Sequence, residues 1–300
     1  MSRRYAVLDV FTDTPLAGNP LAVVLDSEGL TAETMQAIAA EFSLPETVFV
    51  LPAERAVHSA RVRIFTPKTE MPFAGHPTIG TAVLLATERF GAAEQDGERD
   101  AMVILEEGIG PVRCGVRLTA KSAHAIFDAP RLPSEVAFAG DADAVAAGLG
   151  LARNEIGFEN HRPCSFEAGL AFLFVPVRNL AAIRKALPQS PAFERIGQPV
   201  YLYTRETVSV GRQFHARMFG SGIGIHEDPA TGSAAAALAG VIGRFDRPVH
   251  GTHRMVIEQG FEMGRPSLLF LEVDTGEGGA PSAVRVGGDA VVVARGTLAI

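Results

Sequence analysis

A single acidic residue, Glu46, stands between a helical pattern and an apolar strand pattern, within Ser-Leu-Pro-Glu-Thr-Val at 43–48. If its neighbours exclude water, desolvation raises the pKa of this carboxyl group toward the range in which a general base works. Most glutamates are exposed, so a solvated residue at the start of a strand is the plainer alternative. Position and surroundings make Glu46 a candidate catalytic acid and base.

Two turns that contain glycine each precede an alanine-rich, helix-like run. They read Phe-Ala-Gly-His-Pro-Thr at 73–78 and Glu-Asp-Pro-Ala-Thr-Gly-Ser at 227–233. Free backbone N–H groups and the helix macrodipole favour an anion at a helix N-terminus. If the two halves of the chain face one another, N–H groups near Gly75, Gly232 and Ser233 could together hold one substrate carboxylate.

Ordinary capping is the alternative for these turns, with Asp228, Thr231 or Ser233 holding backbone N–H groups and glycine only permitting the turn. For one turn alone, capping is the better interpretation. For the pair, the titratable side chains of His76 and Asp228 bring the catalytic interpretation level with it. His76 and Asp228 are therefore candidate catalytic residues beside Glu46.

Metal and nucleotide motifs give weaker signals. Gly-Ser-Gly-Ile-Gly at 220–224 lacks the third glycine of a dinucleotide fingerprint, because position 227 is Glu. His226, His250 and His253 do not belong to a cluster with the ligand spacing of a zinc site. The sequence therefore predicts no metal and no cofactor.

Short segments recur at a nearly constant offset. Arg-Ile-Phe at 63–65 recurs as Arg-Met-Phe at 217–219, an offset of 217 − 63 = 154. Met-Val-Ile at 102–104 recurs at 255–257, an offset of 255 − 102 = 153, and Glu and Gly follow it both times. The spacing predicts an internal two-fold repeat.

Local patterns place the first set of candidates on helices and strands. Thr31 is the expected N-cap of a helix, and Pro45 marks the end of that helix. Strands are predicted over 46–51 and 60–65, and a helix begins at Pro77, whose missing N–H suits the first helical position.

The second half repeats this order. The sequence predicts a helix capped by Asn179, a helix that opens around Thr231 or Ser233, and two more strands after Ala283. Strands that precede helices without regular βαβ alternation favour an α+β fold rather than a Rossmann unit.

The composition is that of a globular, enzyme-sized protein. The chain has 300 residues, 47% of them hydrophobic, and a formal net charge of −7, which argues against nucleic acid as a partner. Its longest apolar stretch, at 234–242, is far shorter than the ~20 residues of a membrane span. Two cysteines, Cys114 and Cys164, favour a reducing cytoplasm and a packing role for both thiols.

Four ordered motifs resemble the PhzF family of phenazine-biosynthesis-type isomerases. They are Gly-Asn-Pro-Leu-Ala-Val at 18–23, Leu-Pro-Glu-Thr at 44–47, Arg-Ile-Phe-Thr-Pro and Glu-Met-Pro-Phe-Ala-Gly-His-Pro within 63–77, and Glu-Asp-Pro-Ala-Thr-Gly-Ser-Ala at 227–234. The resemblance implies the α+β diaminopimelate-epimerase fold, with two similar domains, each a mostly antiparallel sheet wrapped around a central helix, and an active site in the cleft between them. The domains are expected at 1–125 and 126–284, with a C-terminal strand from about 285–300 returning to the first.

The resemblance also implies roles for particular residues. Glu46 matches the family's catalytic acid and base, and His76, Asp228 and Ser233 match its other polar active-site residues. Asn19 borders the expected cleft or serves the turn before Pro20, two alternatives that the sequence leaves open. A cytoplasmic homodimer that acts on a small carboxylate substrate is expected.

In diaminopimelate epimerase, as the resemblance implies, each domain supplies one cysteine from its glycine turn. Here Ala74 precedes Gly75, and Pro229 or Ala230 is the expected counterpart in the second turn. Without the two thiols, racemisation by a cysteine pair is unavailable, whereas a single proton carrier on one face still permits a suprafacial proton shift.

The sequence therefore predicts a cofactor-independent isomerase that moves a proton on a small, cyclic carboxylate similar to trans-2,3-dihydro-3-hydroxyanthranilate. One alternative is an amino-acid racemase or epimerase that pairs Glu46 with His76 or Asp228. The other is a small-molecule binding protein without turnover.

Overall fold

Two compact units make up the chain. A computed structural model describes residues 2–91, 93, 97–138, 140–189, 191–220 and 225–300. Unit 1 comprises Met1–Pro130 with Gly287–Ile300, and unit 2 comprises Arg131–Val286. The dinucleotide-like motif at 220–224 falls largely on residues 221–224, which lie outside the described residues.

Unit 1 alternates strands with two helices. Its elements are β1 (Ser2–Val10), β2 (Asn19–Val24), α1 (Ala32–Phe42), β3 (Glu46–Leu51), β4 (Ala60–Phe65), β5 (Glu70–Met71), α2 (Gly75–Phe90), β6 (Glu98–Glu107), β7 (Gly110–Thr119) and β8 (Ala123–Asp128). The strands predicted over 46–51 and 60–65 have the predicted bounds, and Thr31 caps α1 as predicted, accepting a hydrogen bond from the Thr34 N–H. Helix α2 begins two residues before Pro77.

Unit 2 contains the remaining helices. Its elements are β9 (Ser134–Val136), α3 (Ala142–Gly148), β10 (Cys164–Glu167), β11 (Ala171–Pro176), α4 (Leu180–Lys185), β12 (Val200–Thr204), β13 (Phe214–Gly220), β14 (Ile225–Asp228), α5 (Gly232–Phe245), β15 (Gly251–Gln259) and β16 (Ser267–Thr275). Asn179 caps α4 as predicted, and Thr231 is the N-cap of α5. The prediction of two strands after Ala283 was wrong, because the tail forms one long strand, β17 (Pro281–Ala299), which pairs antiparallel with β1.

The strands of unit 1 surround helix α2. Their pairings close a ring in the order β8, β17, β1, β2, β3, β4, β6, β7 and back to β8. Within this ring, β2 pairs parallel with β3 and β4 pairs parallel with β6. Helix α2 contacts strands on several sides of the ring, and both its polar and its apolar residues are buried along most of its length. Its buried positions include both small residues, such as Thr78, Gly80 and Ala82, and larger apolar ones, as expected for a helix enclosed on all sides.

Close packing around the two central helices depends on glycine. A Cβ at Gly80 in α2 would lie 2.6 Å from Cδ2 of Leu21, and a Cβ at Gly240 in α5 would lie 2.4 Å from Cδ1 of Phe166. Both distances are below any normal carbon–carbon contact, so a larger side chain at either position would force the neighbours apart. Smaller apolar clusters lie under the outer helices, such as Met35, Ile38 and Ala39 of α1.

The predicted duplication is confirmed by matching strand pairs. In unit 1, β4 and β6 are parallel with Arg61 opposite Glu106, and in unit 2, β13 and β15 are parallel with His215 opposite Glu258. Both glutamates accept hydrogen bonds from two successive backbone N–H groups, at 2.7 and 2.9 Å for Glu106 and at 2.7 and 2.8 Å for Glu258. Those donors, residues 54–55 and 208–209, are separated by the offset of 154 found in the sequence.

Among the described helices, none has the length and apolar character needed to cross a membrane.

Candidate active site

Glu46 is buried and faces helix α2. As the first residue of β3 it lies opposite Leu21 in the parallel pair β2–β3. Paired residues of neighbouring strands point to the same face of a sheet, and Leu21 packs directly against Gly80 of α2. Glu46 is only 7% exposed, so the alternative of a solvated glutamate was wrong.

His76 meets Glu46 at the start of α2. It lies one helical turn before Gly80 and so shares the face that packs on β2 and β3. Its Nε2 atom is 3.2 Å from Oε2 of Glu46, a close contact without ideal hydrogen-bond angles. Burial lowers the pKa of His76 to about 3, so at neutral pH the imidazole beside the carboxyl group is uncharged.

Asn19 and Gly75 occupy the same end of unit 1. Asn19 is fully buried as the first residue of β2, and its position two residues before Leu21 puts its side chain on the face toward α2. Gly75 is the first residue of α2, and the preceding N-cap residue, Ala74, has no side-chain atom that could cap a backbone N–H. The structure thus brings together Glu46, His76, Asn19 and Gly75.

Asp228, Gly232 and Ser233 lie around the start of helix α5 in unit 2. Asp228 ends β14, and Gly232 and Ser233 are the first two helical residues. The Thr231 hydroxyl donates a hydrogen bond of 2.6 Å to Oδ2 of Asp228, and among the described residues it caps no backbone N–H of α5. Capping by Thr231 was therefore a wrong interpretation of this turn, and its hydroxyl serves the acidic side chain instead.

The two helix starts correspond at the N-cap. Ala74 and Thr231 each precede the first helical glycine, and their carbonyl groups accept from the N–H four residues later, at 3.2 Å from Thr78 and 3.0 Å from Ala235. Thr231 is thus the counterpart of Ala74, and the expected match with Pro229 or Ala230 was wrong. Neither position carries a thiol, so the conclusion about a cysteine pair stands.

Gln259, which was not predicted as a site residue, joins Asp228 to Thr231. This fully buried amide donates to the Asp228 carbonyl oxygen at 2.8 Å and to the Thr231 hydroxyl at 3.0 Å. Its oxygen accepts from the Thr231 N–H and from the Tyr201 hydroxyl, both at 3.2 Å. The signal was present in the repeated Met-Val-Ile segments, which are followed by Glu-Gln-Gly in one half and by Leu-Glu-Glu-Gly in the other.

The corresponding residue in unit 1 is Glu107, also missed from the sequence. It is 8% exposed, and its Oε1 atom lies 2.8 Å from the Thr78 hydroxyl, which is also 2.8 Å from the Ala74 carbonyl oxygen. Burial raises the pKa of Glu107 to about 8. An acid and an amide of the same length thus support the two helix starts.

Unit 2 contains a further polar cluster, in which an arginine lies against the carboxylates. Ligand atoms of Glu159, His161 and Asp246 converge to within 4.8 Å of one another. The Arg205 guanidinium is 2.5 Å from Oδ1 of Asp246 and 3.3 Å from Oε2 of Glu159, so a cation of the protein itself balances these carboxylates. The residues His226, His250 and His253 are not part of this cluster.

Both cysteines are buried, and their thiols remain protonated and unreactive. Burial raises the pKa of the Cys164 thiol to about 12 and that of the Cys114 thiol still further above its usual value. A protonated thiol is a poor nucleophile and a poor base. Their burial agrees with the packing role expected from the sequence.

Fold and side chains together define a class of protein. The chain is a duplicated α+β protein with a buried carboxyl–imidazole pair at one central helix and a carboxylate–hydroxyl–amide group at the other, and with no cysteine at either N-cap. This is the architecture of the epimerase-like fold, here with no thiol at the N-cap of either helix.

Comparison with known proteins places the chain in one family. The family model of the phenazine biosynthesis-like protein, PhzC-PhzF, matches residues 8–296, so the chain belongs to this family. An uncharacterized isomerase from Mesorhizobium japonicum is 49% identical and aligned over 100% of this chain and 99% of its own length. Trans-2,3-dihydro-3-hydroxyanthranilate isomerase from Pseudomonas aeruginosa is 36% identical and aligned over 98% of both chains.

A solved structure agrees with the fold. The phenazine biosynthesis protein of the PhzF family from Bacillus anthracis superposes with a TM-score of 0.88 over 100% of both chains, at 27% identity. The predicted family and fold class are confirmed, and the chain is an isomerase.

Proposed function

We propose that this isomerase moves a proton by general acid–base catalysis on a small cyclic carboxylate, of the trans-2,3-dihydro-3-hydroxyanthranilate kind, without a cofactor. The substrate class comes from the activity for which the relatives from Pseudomonas are named. The observation that carries the proposal is the buried contact between Glu46 and His76, 3.2 Å from nitrogen to oxygen. A buried carboxyl group beside a neutral imidazole can accept a proton and return it without losing it to bulk water.

In the proposed reaction Glu46 acts as the only carrier of the transferred proton. As a carboxylate it removes a proton from an activated C–H group, and the electron pair of that bond shifts the neighbouring double bond. As a carboxylic acid it returns a proton to the carbon two positions along, so no atom is gained or lost and no oxidant is needed. Proton transfer of this kind contributes roughly 10²–10⁴-fold to the rate.

The remaining candidates receive orienting roles. His76 and Asp228 would orient the amine or hydroxyl groups of the substrate, and Asn19 would add a buried amide beside Glu46. Backbone N–H groups near Gly75, Gly232 and Ser233 would hold the carboxylate, because both glycines lie at the first position of a helix with no capping side-chain bond from the residue before it.

Turnover of trans-2,3-dihydro-3-hydroxyanthranilate, followed by ultraviolet absorbance, tests the proposal. Glu46→Gln should remove activity while leaving binding of the carboxylate substrate within a few-fold, as measured by isothermal titration calorimetry. Glu41→Gln is the matched control, because Glu41 is exposed at the end of α1. Product formation at an unchanged rate in the Glu46→Gln variant would overturn the assignment of Glu46.

Heavy water separates the isomerase from the two alternatives. An isomerase yields a product with a moved double bond, whereas a racemase or epimerase incorporates deuterium at the α-carbon of an amino acid with loss of chirality. A binding protein produces neither change. The expected cytoplasmic homodimer belongs to the same proposal, and light scattering of the purified chain would measure its mass in solution.

A further inference from the structure

Gln259 lies at the end of β15, where it reaches the turn between Asp228 and helix α5. The next residue, Gly260, comes so close to this turn that a Cβ on it would lie 2.6 Å from the Pro229 carbonyl oxygen. Only glycine permits this approach, and its φ of +78° is also one that other residues rarely adopt. The contact fixes the end of β15 against the turn.

All the hydrogen-bonding capacity of the Gln259 amide is used. Its nitrogen donates two hydrogen bonds, to the Asp228 carbonyl oxygen and the Thr231 hydroxyl, and its oxygen accepts two, from the Thr231 N–H and the Tyr201 hydroxyl. Burial raises the pKa of Tyr201 well above its usual value, so its hydroxyl remains a donor. A flipped amide would place donor against donor, so one orientation alone fits.

This orientation determines where the Thr231 hydroxyl hydrogen points. Because the Gln259 nitrogen donates to the Thr231 oxygen, the single hydroxyl hydrogen is directed to another acceptor. That acceptor is Oδ2 of Asp228, at 2.6 Å, a length typical of a bond to a carboxylate. Gln259 therefore acts on the Asp228 side chain through Thr231.

We propose that Gln259 is a positioning residue whose amide aims the Thr231 hydroxyl at Asp228 and so holds the Asp228 carboxylate in its working orientation. The inference rests on the proposed role of Asp228 in catalysis. Removal of the amide frees the Thr231 hydroxyl to rotate away from Asp228, and a misplaced group beside the substrate lowers turnover more than binding.

Two substitutions of Gln259 test different parts of this chain of bonds. Gln259→Leu has a similar volume and removes all four hydrogen bonds. Gln259→Glu keeps an accepting oxygen but, when ionised, cannot donate to Thr231, whose hydroxyl can then turn away from Asp228. Tyr201→Phe is the matched control, because it removes one hydrogen bond to the same amide without touching Thr231 or Asp228.

The expected result is a loss in kcat rather than a rise in KM. Gln259→Leu should lower kcat roughly 10- to 100-fold with KM changed by less than about threefold, and Tyr201→Phe should lower kcat by at most about threefold. The ratio of kcat in Gln259→Glu to kcat in the native chain should rise as the pH falls, since the protonated carboxyl group regains a donor. A merely structural role would not produce this pH-dependent rescue.

Hydrogen exchange at the Thr231 amide gives a readout without substrate. In Gln259→Leu this N–H loses its acceptor, so its protection should drop while that of the β15 backbone is kept. If the native chain does not turn over the chosen substrate, the proposed function fails. Hydrogen exchange at the Thr231 amide still tests whether Gln259 positions Thr231. A folded Gln259→Leu variant with unchanged kcat, or with unchanged protection at Thr231, would overturn the inference; if this variant does not fold, a flat kcat ratio for Gln259→Glu would do so.

Discussion

Glu107 and Gln259 are the same position of the internal repeat, filled by an acid in unit 1 and by an amide in unit 2. Each lies one residue after the glutamate that accepts two backbone N–H groups, and each reaches the start of the central helix of its unit. The glycine after each packs against a proline before the helix: a Cβ at Gly108 would lie 2.8 Å from Cα of Pro72. An acid can take the place of a donating amide only when it carries a proton.

The Thr78 hydroxyl supports a protonated Glu107. It has one hydrogen and two oxygen neighbours at 2.8 Å, the Ala74 carbonyl oxygen and Oε1 of Glu107. A carbonyl oxygen can only accept, so Thr78 satisfies both contacts when it donates to Ala74 and accepts from a protonated Glu107.

Glu107→Gln should therefore stabilise the protein at alkaline pH. The pKa of Glu107 is about 8 in the folded chain and near 4.5 when unfolded, so native stability falls as the pH rises from 4.5 to about 8, by about 1.4 kcal/mol for each pH unit at most. Urea unfolding at pH 5 and pH 8.5 measures this slope. The variant should lose the slope, and it should be more stable than the native chain at pH 8.5.

Glu106→Gln is the control for that experiment. Glu106 accepts hydrogen bonds from the N–H groups of Glu54 and Arg55, which lower its pKa, and the amide should weaken them at neutral pH. Its substitution should therefore lower stability at pH 7. A Glu107→Gln variant that keeps the full pH slope would show that Glu107 is ionised in the native chain.

His76 should remain neutral down to low pH. Its pKa of about 3 lies below the 6.5 of an unfolded histidine, so the unfolded chain binds the extra proton first and stability falls as the pH drops from 6.5 toward 3. In His76→Asn this contribution should vanish, and the difference in unfolding free energy between native and variant chains should change across that range. Histidine ring NMR checks the pKa directly, and a His76 signal that titrates near pH 6.5 would contradict it.

Local elements were predictable from the sequence because their signals are local. Thr31 and Asn179 as N-caps, and the bounds of β3 and β4, follow from residues within one or two turns of chain. Glu46 and His76 could be chosen because each stands at the start of an element that the pattern marks. The family motifs then joined these residues across 30 positions of sequence.

The contacts at the helix starts could not be predicted in the same way. Gln259 lies 28 residues after Thr231, and they meet only because β15 pairs parallel with β13 and ends beside the turn. The direction of the Thr231 hydroxyl depends on that pairing, so composition and spacing pointed to a cap instead. The single long β17 was missed because its partners are distant in sequence: residues 290–299 pair with β1, and β8 also pairs with this strand.

His215 should stabilise the protein most at mildly acidic pH. It lies in unit 2 between Oε2 of Glu258 and Oε1 of Glu262, both at 3.0 Å. Burial opposes the charged form, but the hydrogen bonds and charges of Glu262 and Glu258 outweigh it and raise the pKa of His215 above its usual value. The stabilisation is complete below pH 6.5 and is lost as the pH rises through the raised pKa.

His215→Gln should then cost the most stability near pH 6 and less at higher pH. The variant also leaves Glu258 with its two backbone donors, Val208 and Ser209, so the loop should stay in place. His250→Gln, at an exposed position, is the control and should change stability by less than about 0.5 kcal/mol. An equal loss at pH 6 and pH 9.5 would show that His215 is uncharged in the native chain.

Gly240→Ala should destabilise the chain although alanine favours helices. The added Cβ would lie 2.4 Å from Cδ1 and 2.7 Å from Cε1 of Phe166, and 3.0 Å from Cβ of Pro133, none of which can move away as a flexible side-chain end could. Overpacking of this kind costs about 1–3 kcal/mol, more than the gain of about 1 kcal/mol in helix propensity. Gly115→Ala, where the nearest atom is Cγ2 of Ile126 at 3.6 Å, is the control and should be neutral or slightly stabilising. Thermal unfolding of both variants measures how closely α5 packs against Phe166. A Gly240→Ala variant as stable as the native chain would mean that the helix can shift away from Phe166.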